Sequence, residues 1–201
     1  MTAGGTFIAF EGGEASGKST QAARLASRRG ALLTREPGGT PLGERVRAIF
    51  LDPATGDVEA RAEVLLVAAA RAQHVAGVIA PALGAGRDVV TDRFTGSSLA
   101  YQGHGRGVAL DEVRAVSAFA TGGLEPDLTV LIEVSAAVAA ARLGPEHDRL
   151  ESAGADFHER VRAGYAHLAA EDERWVVVDG EGTPDEVDAA VWAAVSGRLG
   201  W

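Results

Sequence analysis

The chain has 201 residues and no cysteine, which excludes disulfides, thiolate catalysis and zinc–thiolate sites. A net charge of −9 with 46% hydrophobic residues describes one globular domain over residues 1–201 and argues against a general nucleic-acid binder, which normally shows a basic face. The amino terminus lacks a basic region followed by an apolar run, and no apolar stretch approaches a membrane span, so a cytoplasmic protein with no membrane partner is expected.

Thr6 to Phe10 reads as a short buried strand and Lys18 to Arg29 as a helix. Between them, Gly12-Gly13-Glu14-Ala15-Ser16-Gly17-Lys18-Ser19-Thr20 holds the P-loop pattern G-x-x-x-x-G-K-[ST] in the strand–loop–helix setting it requires. Its glycines let backbone N–H groups turn inward around phosphates, while the lysine reaches the β and γ oxygens and the hydroxyl holds Mg²⁺. Of the 19 basic residues only Lys18 is a lysine. A compact ammonium can follow a moving phosphoryl group, where a planar guanidinium is bulkier and directional.

A second strand, Ala31 to Thr34, runs into Arg35-Glu36-Pro37-Gly38-Gly39-Thr40, and a helix follows over 62–71. A third strand, Asp88 to Thr91, runs into Asp92-Arg93-Phe94; a fourth spans Leu128 to Val134 and a fifth Trp175 to Val178. Phe157, Val161, Tyr165 and Leu168 recur at helical spacing, as do Val187, Val191 and Val195, and the last helix starts on a Thr183 cap, Pro184 and a capping-box Glu186. This alternation predicts an α/β domain with a mostly parallel sheet. Ligands of such sheets bind outside the carboxyl ends of the strands, which gathers the P-loop, Arg35 to Thr40 and Asp92 to Phe94 into one region. There Asp92 is placed for a second Mg²⁺ contact, and Arg35 and Arg93 to grip a second anion. The five histidines are scattered and point to surface or packing roles.

Four motifs in order, the P-loop, Arg35 to Thr40, Asp92-Arg93 continuing to Ala100-Tyr101-Gln102-Gly103-His104-Gly105-Arg106-Gly107, and Pro126-Asp127-Leu128-Thr129, carry a resemblance over Phe7 to about Val195. The chain resembles the thymidylate kinases, the dTMP kinases of the P-loop nucleoside-monophosphate kinase group. The resemblance implies a three-layer P-loop kinase fold whose five-stranded parallel sheet, in order 2-3-1-4-5, is covered by helices on both faces. It also implies ATP and dTMP as substrates, Mg²⁺ as cofactor and a homodimer.

Residue roles follow from the same resemblance. Glu14 meets the 3′-hydroxyl of the deoxyribose; Arg47 and Arg93 hold the acceptor phosphate, with Arg35 nearby. Pro37 lies beside that phosphate after a peptide that is commonly cis, although trans is the commoner state of any proline. Arg71 reads the thymine carbonyl, Ser98 and Gln102 lie near the base edge, Tyr101 lies beneath the sugar, and Ser19 and Asp92 serve Mg²⁺. Arg142 and Arg149 belong to a lid at about 142–152 that closes over ATP. The chain departs from the family in two places. Val67 stands where a phenylalanine usually stacks on thymine, and the lid is compact and arginine-poor, with Arg149 favoured over Arg142 as the catalytic arginine.

The acceptor phosphate has a second pKa near 6 and is already ionised at neutral pH, so no general base is required. Competing readings are a kinase for dUMP, AMP or CMP, a GTPase-like switch and a silent nucleotide-binding partner. The switch needs an Asn-Lys-x-Asp signature, which cannot occur with Lys18 the only lysine, and intact Lys18, Ser19 and Asp92 oppose the silent partner.

Overall fold

A computed structural model describes residues 4–145 and 147–201. Five parallel strands, β1 (Phe7–Glu11), β2 (Leu32–Arg35), β3 (Val89–Asp92), β4 (Leu128–Glu133) and β5 (Trp175–Asp179), form one sheet in the order β2-β3-β1-β4-β5. The helices are α1 (Lys18–Arg29), α2 (Pro41–Leu51), α3 (Ala60–His74), α4 (Ala80–Gly84), α5 (Thr95–Ser98), α6 (Leu110–Thr121), α7 (Ala136–Arg142), α8 (Ala155–Glu171) and α9 (Pro184–Leu199). Wide π-helical turns at Val75–Ile79 and Leu99–Gly105 extend α3 into α4 and α5 toward α6.

Alternation along the central strand divides the core. Ile8 and Phe10 turn to one face, where they pack with Leu25 of α1 and Val187, Val191 and Val195 of α9. Phe7 and Ala9 turn to the other, against Val75, Ile79 and Phe94. Beside that second cluster, Phe50, Val67, Tyr101, Leu131, Phe157 and Tyr165 fill the space between α2, α3, α5 and α8. The result is three layers, with β1 and most of β4 buried on both faces, as their continuous apolar runs require. Each large side chain so buried contributes about 1.5–3 kcal/mol, and Phe10→Ala, deep between layers, would cost about 3–5 kcal/mol.

Local chemistry sets the helix ends. Thr40 caps α2 by accepting from Gly43 N at 3.0 Å, with Pro41 in the first turn. The Thr183–Glu186 capping box forms as expected. Gly30, left-handed at φ 64°, closes α1 behind Arg28 and Arg29. β2 and β3 each begin one residue later than the sequence predicts, because Ala31 N still bonds Ala26 O of α1 and the Asp88 carboxylate is occupied by Thr6 N and Arg29.

One expectation is corrected. The continuous helix Ala60–Gly84 is long and apolar enough to cross a membrane, with a mean hydropathy of 1.5 over its most apolar window. It packs instead as a helix of the core, with Glu63 and Arg71 buried and ion-paired on its inner side and His74 buried and hydrogen-bonded there.

Candidate active site

The carboxyl end of β1 opens into the P-loop, and the geometry there forbids larger residues. Gly12, at φ 151°, would place a Cβ 2.6 Å from Ile132 O, and Gly17 at φ 89° turns the chain into the amino terminus of α1, where N–H groups and the helix dipole favour an anion. Ala15 is also left-handed, at φ 55°. Lys18 is buried and donates to Gly13 O at 3.1 Å. Burial and the neighbouring Arg93 lower its pKa, while Glu14, Asp92 and Glu11 oppose that shift.

β3 lies beside β1, with Phe10 opposite Asp92, which brings Asp92 to the P-loop. Ser19 Oγ donates to Asp92 Oδ2 at 2.5 Å, and Asp92 Oδ1 is buried with no partner. A hydroxyl beside a half-satisfied carboxylate is an all-oxygen donor set that suits Mg²⁺, an ion that prefers few protein ligands plus phosphate and water. Among the described residues no group of three or more His, Asp or Glu side chains gathers to hold a metal by itself.

The next residue, Arg93, is non-glycine at φ 71°, a strained conformation held by its surroundings. Its guanidinium donates to Glu14 Oε1 at 2.8 Å, Gly12 O at 3.0 Å, Ser97 Oγ at 3.1 Å, Tyr101 OH at 3.1 Å and Tyr165 OH at 3.2 Å. Although burial works against the charge of Arg93, Glu14 and the two tyrosines raise its pKa further. Burial likewise works against Glu14, yet Arg93 and Lys18 bring it down to about 2. Glu11, fully buried and pushed upward by burial, accepts from Phe94 N, Ser97 N, Ser97 Oγ and Tyr165 OH. It therefore fixes the turn that aims Arg93.

Two clefts meet at Glu14. The larger, about 680 Å³, runs from Gly13 and Glu14 past Ser135, Ala139, His158 and Arg162 to Glu181. The smaller, about 80 Å³, is lined by Pro37, Arg47, Phe50, Val67, Arg71, Arg93, Ser98, Tyr101 and Gln102, among others. The Glu36–Pro37 peptide is cis. Arg47 donates to Pro37 O at 3.2 Å, and burial lowers its pKa. Arg71 donates from Nε to Glu36 at 2.7 Å and from Nη2 to Phe94 O and Ser98 Oγ, both at 3.0 Å, while Nη1 is buried without a partner. Glu36 also meets His74 Nδ1 at 3.0 Å, and His74 Nε2 meets Thr34 at 2.6 Å, so His74 has a packing role.

Most expected site residues therefore assemble, and three stand apart. Arg35 is exposed and paired with Glu44, outside the smaller cleft. Arg142 donates to Gly180 O at 3.0 Å on the loop after β5. Arg149, expected over the donor, donates instead to Glu63 at 2.6 Å and Phe50 O at 2.9 Å, and Asp148 and Leu150 beside it line the smaller cleft. Glu11, Glu36, Glu63, Ser97, Phe50, Arg162 and Tyr165 are site neighbours that sequence reasoning missed. Glu36 lay inside a quoted motif and Tyr165 on a recognised helix face, and those were the available signals.

The geometry has counterparts among known proteins. Residues 10–191 match the family model described as thymidylate kinase. The chain is 51% identical to the thymidylate kinase of Deinococcus radiodurans, over 96% of this chain and 98% of that one. It is 48% identical to the thymidylate kinase of Desulforudis audaxviator, over 97% and 92%. The crystal structure of thymidylate kinase from Ehrlichia chaffeensis superimposes with a TM-score of 0.75 at 29% identity, covering 96% of this chain and 99% of that one.

Proposed function

The chain belongs to the thymidylate kinase family, and from that membership we propose how its residues divide the work of moving the γ-phosphoryl group of ATP to dTMP. The relatives named above are each described as a thymidylate kinase, and none as a kinase named for another nucleotide. The larger cleft takes ATP and the smaller one dTMP, with Glu14 at their junction. The observation that carries this division is the unpartnered Nη1 of Arg71, a buried donor in the smaller cleft that a thymine carbonyl satisfies.

Phosphoryl transfer needs little covalent work from the protein; its barrier falls through positioning and charge neutralisation. Lys18 and the P-loop N–H groups hold the donor phosphates. Ser19 and Asp92 hold Mg²⁺, which when bound neutralises charge on the donor phosphates. Arg47 and Arg93 hold the acceptor phosphate, and Glu14, Tyr101 and Pro37 frame the sugar and the phosphate. Among the residues lining the larger cleft Arg162 is the one arginine, one helical turn from both His158 and Tyr165, and it takes the donor-side role for which Arg149 is poorly placed. Closure of the segment at about 142–152 excludes water and suppresses ATP hydrolysis.

The protein acts as a single kinase unit in the cytoplasm and pairs as a homodimer. Leu42 and Ile49 on α2, Leu65 on α3 and Phe119 on α6, all exposed on helices that pack side by side, supply an apolar face for the pairing. The functional reading is tested by ADP release with ATP and Mg²⁺. Release should depend on added dTMP, with dTDP appearing in the phosphorus NMR spectrum; release without dTDP would refute it.

A further inference from the structure

Glu63, fully buried on α3, is surrounded by donors. Its Oε1 accepts from Arg149 Nη1 at 2.6 Å and Arg106 Nη2 at 3.1 Å, and its Oε2 from Arg106 Nε at 3.3 Å and Gln102 Nε2 at 3.2 Å. A carboxylate only accepts, whereas the two ends of a glutamine amide are nearly isosteric and opposite in hydrogen-bond sense. Glu63 therefore obliges Gln102 to present its NH₂ inward and leaves the carbonyl Oε1 for the other side. Gln102 is buried and lines the smaller cleft, and among the described residues no protein donor reaches its Oε1. The same cleft contains Arg71, whose Nε and Nη2 are fixed by Glu36, Phe94 and Ser98 while Nη1 is buried and free. The lining thus offers one held donor and one held acceptor.

We propose that Glu63 is a positioning residue for base selection, acting by fixing the polarity of the Gln102 amide. The proposal rests on the assignment of this cleft to the base of dTMP. A pyrimidine with an N3–H donor and an O4 acceptor satisfies both held groups. Cytosine, with a bare N3 and an exocyclic amine, sets acceptor against acceptor and donor against donor, and a buried site that must leave its polar groups unpaired rejects a ligand strongly. With a neutral amide at position 63, which donates as readily as it accepts, either orientation of Gln102 is satisfied and this element of selection is lost. Arg106 and Arg149 share the same carboxylate, so Glu63 also ties the 148–150 segment to the base pocket.

The test compares kcat/KM for dTMP and dCMP in the wild type, Glu63→Gln, Gln102→Leu and the double variant. Glu63→Gln should lower the dTMP:dCMP ratio by about tenfold or more. In the Gln102→Leu background the same change should move the ratio by less than about twofold, because the amide it acts through is gone. A folded Glu63→Gln enzyme with the wild-type ratio, whatever its melting temperature, overturns the proposal. Gln102→Leu with wild-type kcat/KM for dTMP overturns the assignment of the base pocket itself, a separate result. Glu63→Gln strips the counter-charge from two guanidinium groups, that of Arg149 mostly shielded and that of Arg106 half-buried. If it melts too low to assay, Glu63→Gln with Arg149→Met, measured against Arg149→Met alone, carries the same comparison with the same two outcomes.

Discussion

Arg93 donates to Glu14 Oε1 at 2.8 Å, and Tyr101 donates to the same oxygen at 2.5 Å. The guanidinium proposed to hold the acceptor phosphate is thereby tied to the P-loop, and on that reading the two substrates are referred to one fixed point. Arg93→Ala removes that tie and the charge facing the acceptor phosphate. It should raise the KM for dTMP by at least about tenfold and lower kcat, a loss of the size expected for a charge-assisted contact, while the KM for ATP changes by no more than a few-fold. Steady-state kinetics with each substrate varied decides this, and a selective loss of ATP affinity would reverse the assignment of the two clefts.

The same pair makes stability depend on pH. Glu14 has its pKa brought down to about 2 in the folded protein, from an ordinary value of 4.5. A carboxylate with a depressed folded pKa stabilises the fold fully above its unfolded pKa, and that contribution fades as pH falls toward the folded value. The stability difference between wild type and Glu14→Gln should therefore be constant from about pH 7 to 5.5 and narrow as pH is lowered to 3.5. Urea melts of both proteins across that range measure it. A difference that grows on acidification would contradict the pairing.

Much of this arrangement can be read in the sequence, because the signals are local. The P-loop spacing, the Thr183–Glu186 box and the apolar runs of β1 and β4 each require only a few adjacent residues. Glu36, Glu63 and Glu11 were not legible as site residues. A glutamate reads as surface, and these are buried only because partners 35 to 154 residues away in sequence fold onto them. Helix α3 misleads for the related reason that its charges are few and, Arg61 apart, turned inward. The placement of Arg149 was equally illegible, because it depends on distant partners: Arg149 N bonds Leu51 O at the end of α2 and its guanidinium follows to Glu63.

Val67 lines the smaller cleft, where we propose that dTMP binds, but Phe50 lines it too and packs in the same cluster. On the proposed reading, the aromatic missing from position 67 is supplied from α2. Phe50→Leu should weaken dTMP binding by about 1–3 kcal/mol, the worth of a base–aromatic stack. Val67→Phe should overpack the narrow cleft and cost about 1–3 kcal/mol of stability. Calorimetric titration of dTMP and melting curves report both, and a stable Val67→Phe protein that binds dTMP more tightly would show that Phe50 is not the stacking ring.

Arg162 lines the larger cleft while Arg149 is paired with Glu63. Arg162→Ala should lower kcat by about 10², as for loss of one contact to the transferring group, with the KM for dTMP little changed. Arg149→Ala should act on the acceptor side, raising the KM for dTMP and lowering the melting temperature. The reverse pattern in steady-state kinetics would return the donor role to Arg149.

The central claim, that the cleft around Arg71 selects the base of dTMP, is met most directly by one competition assay. ATP, Mg²⁺ and equal concentrations of dTMP, dUMP, dCMP and AMP are incubated with the enzyme, and the diphosphates are separated by chromatography. dTDP should dominate the products of the wild type, and Arg71→Met should erase most of that dominance while leaving some turnover. Another diphosphate in excess from the wild type, or an unchanged product ratio in a folded Arg71→Met protein, would contradict the account.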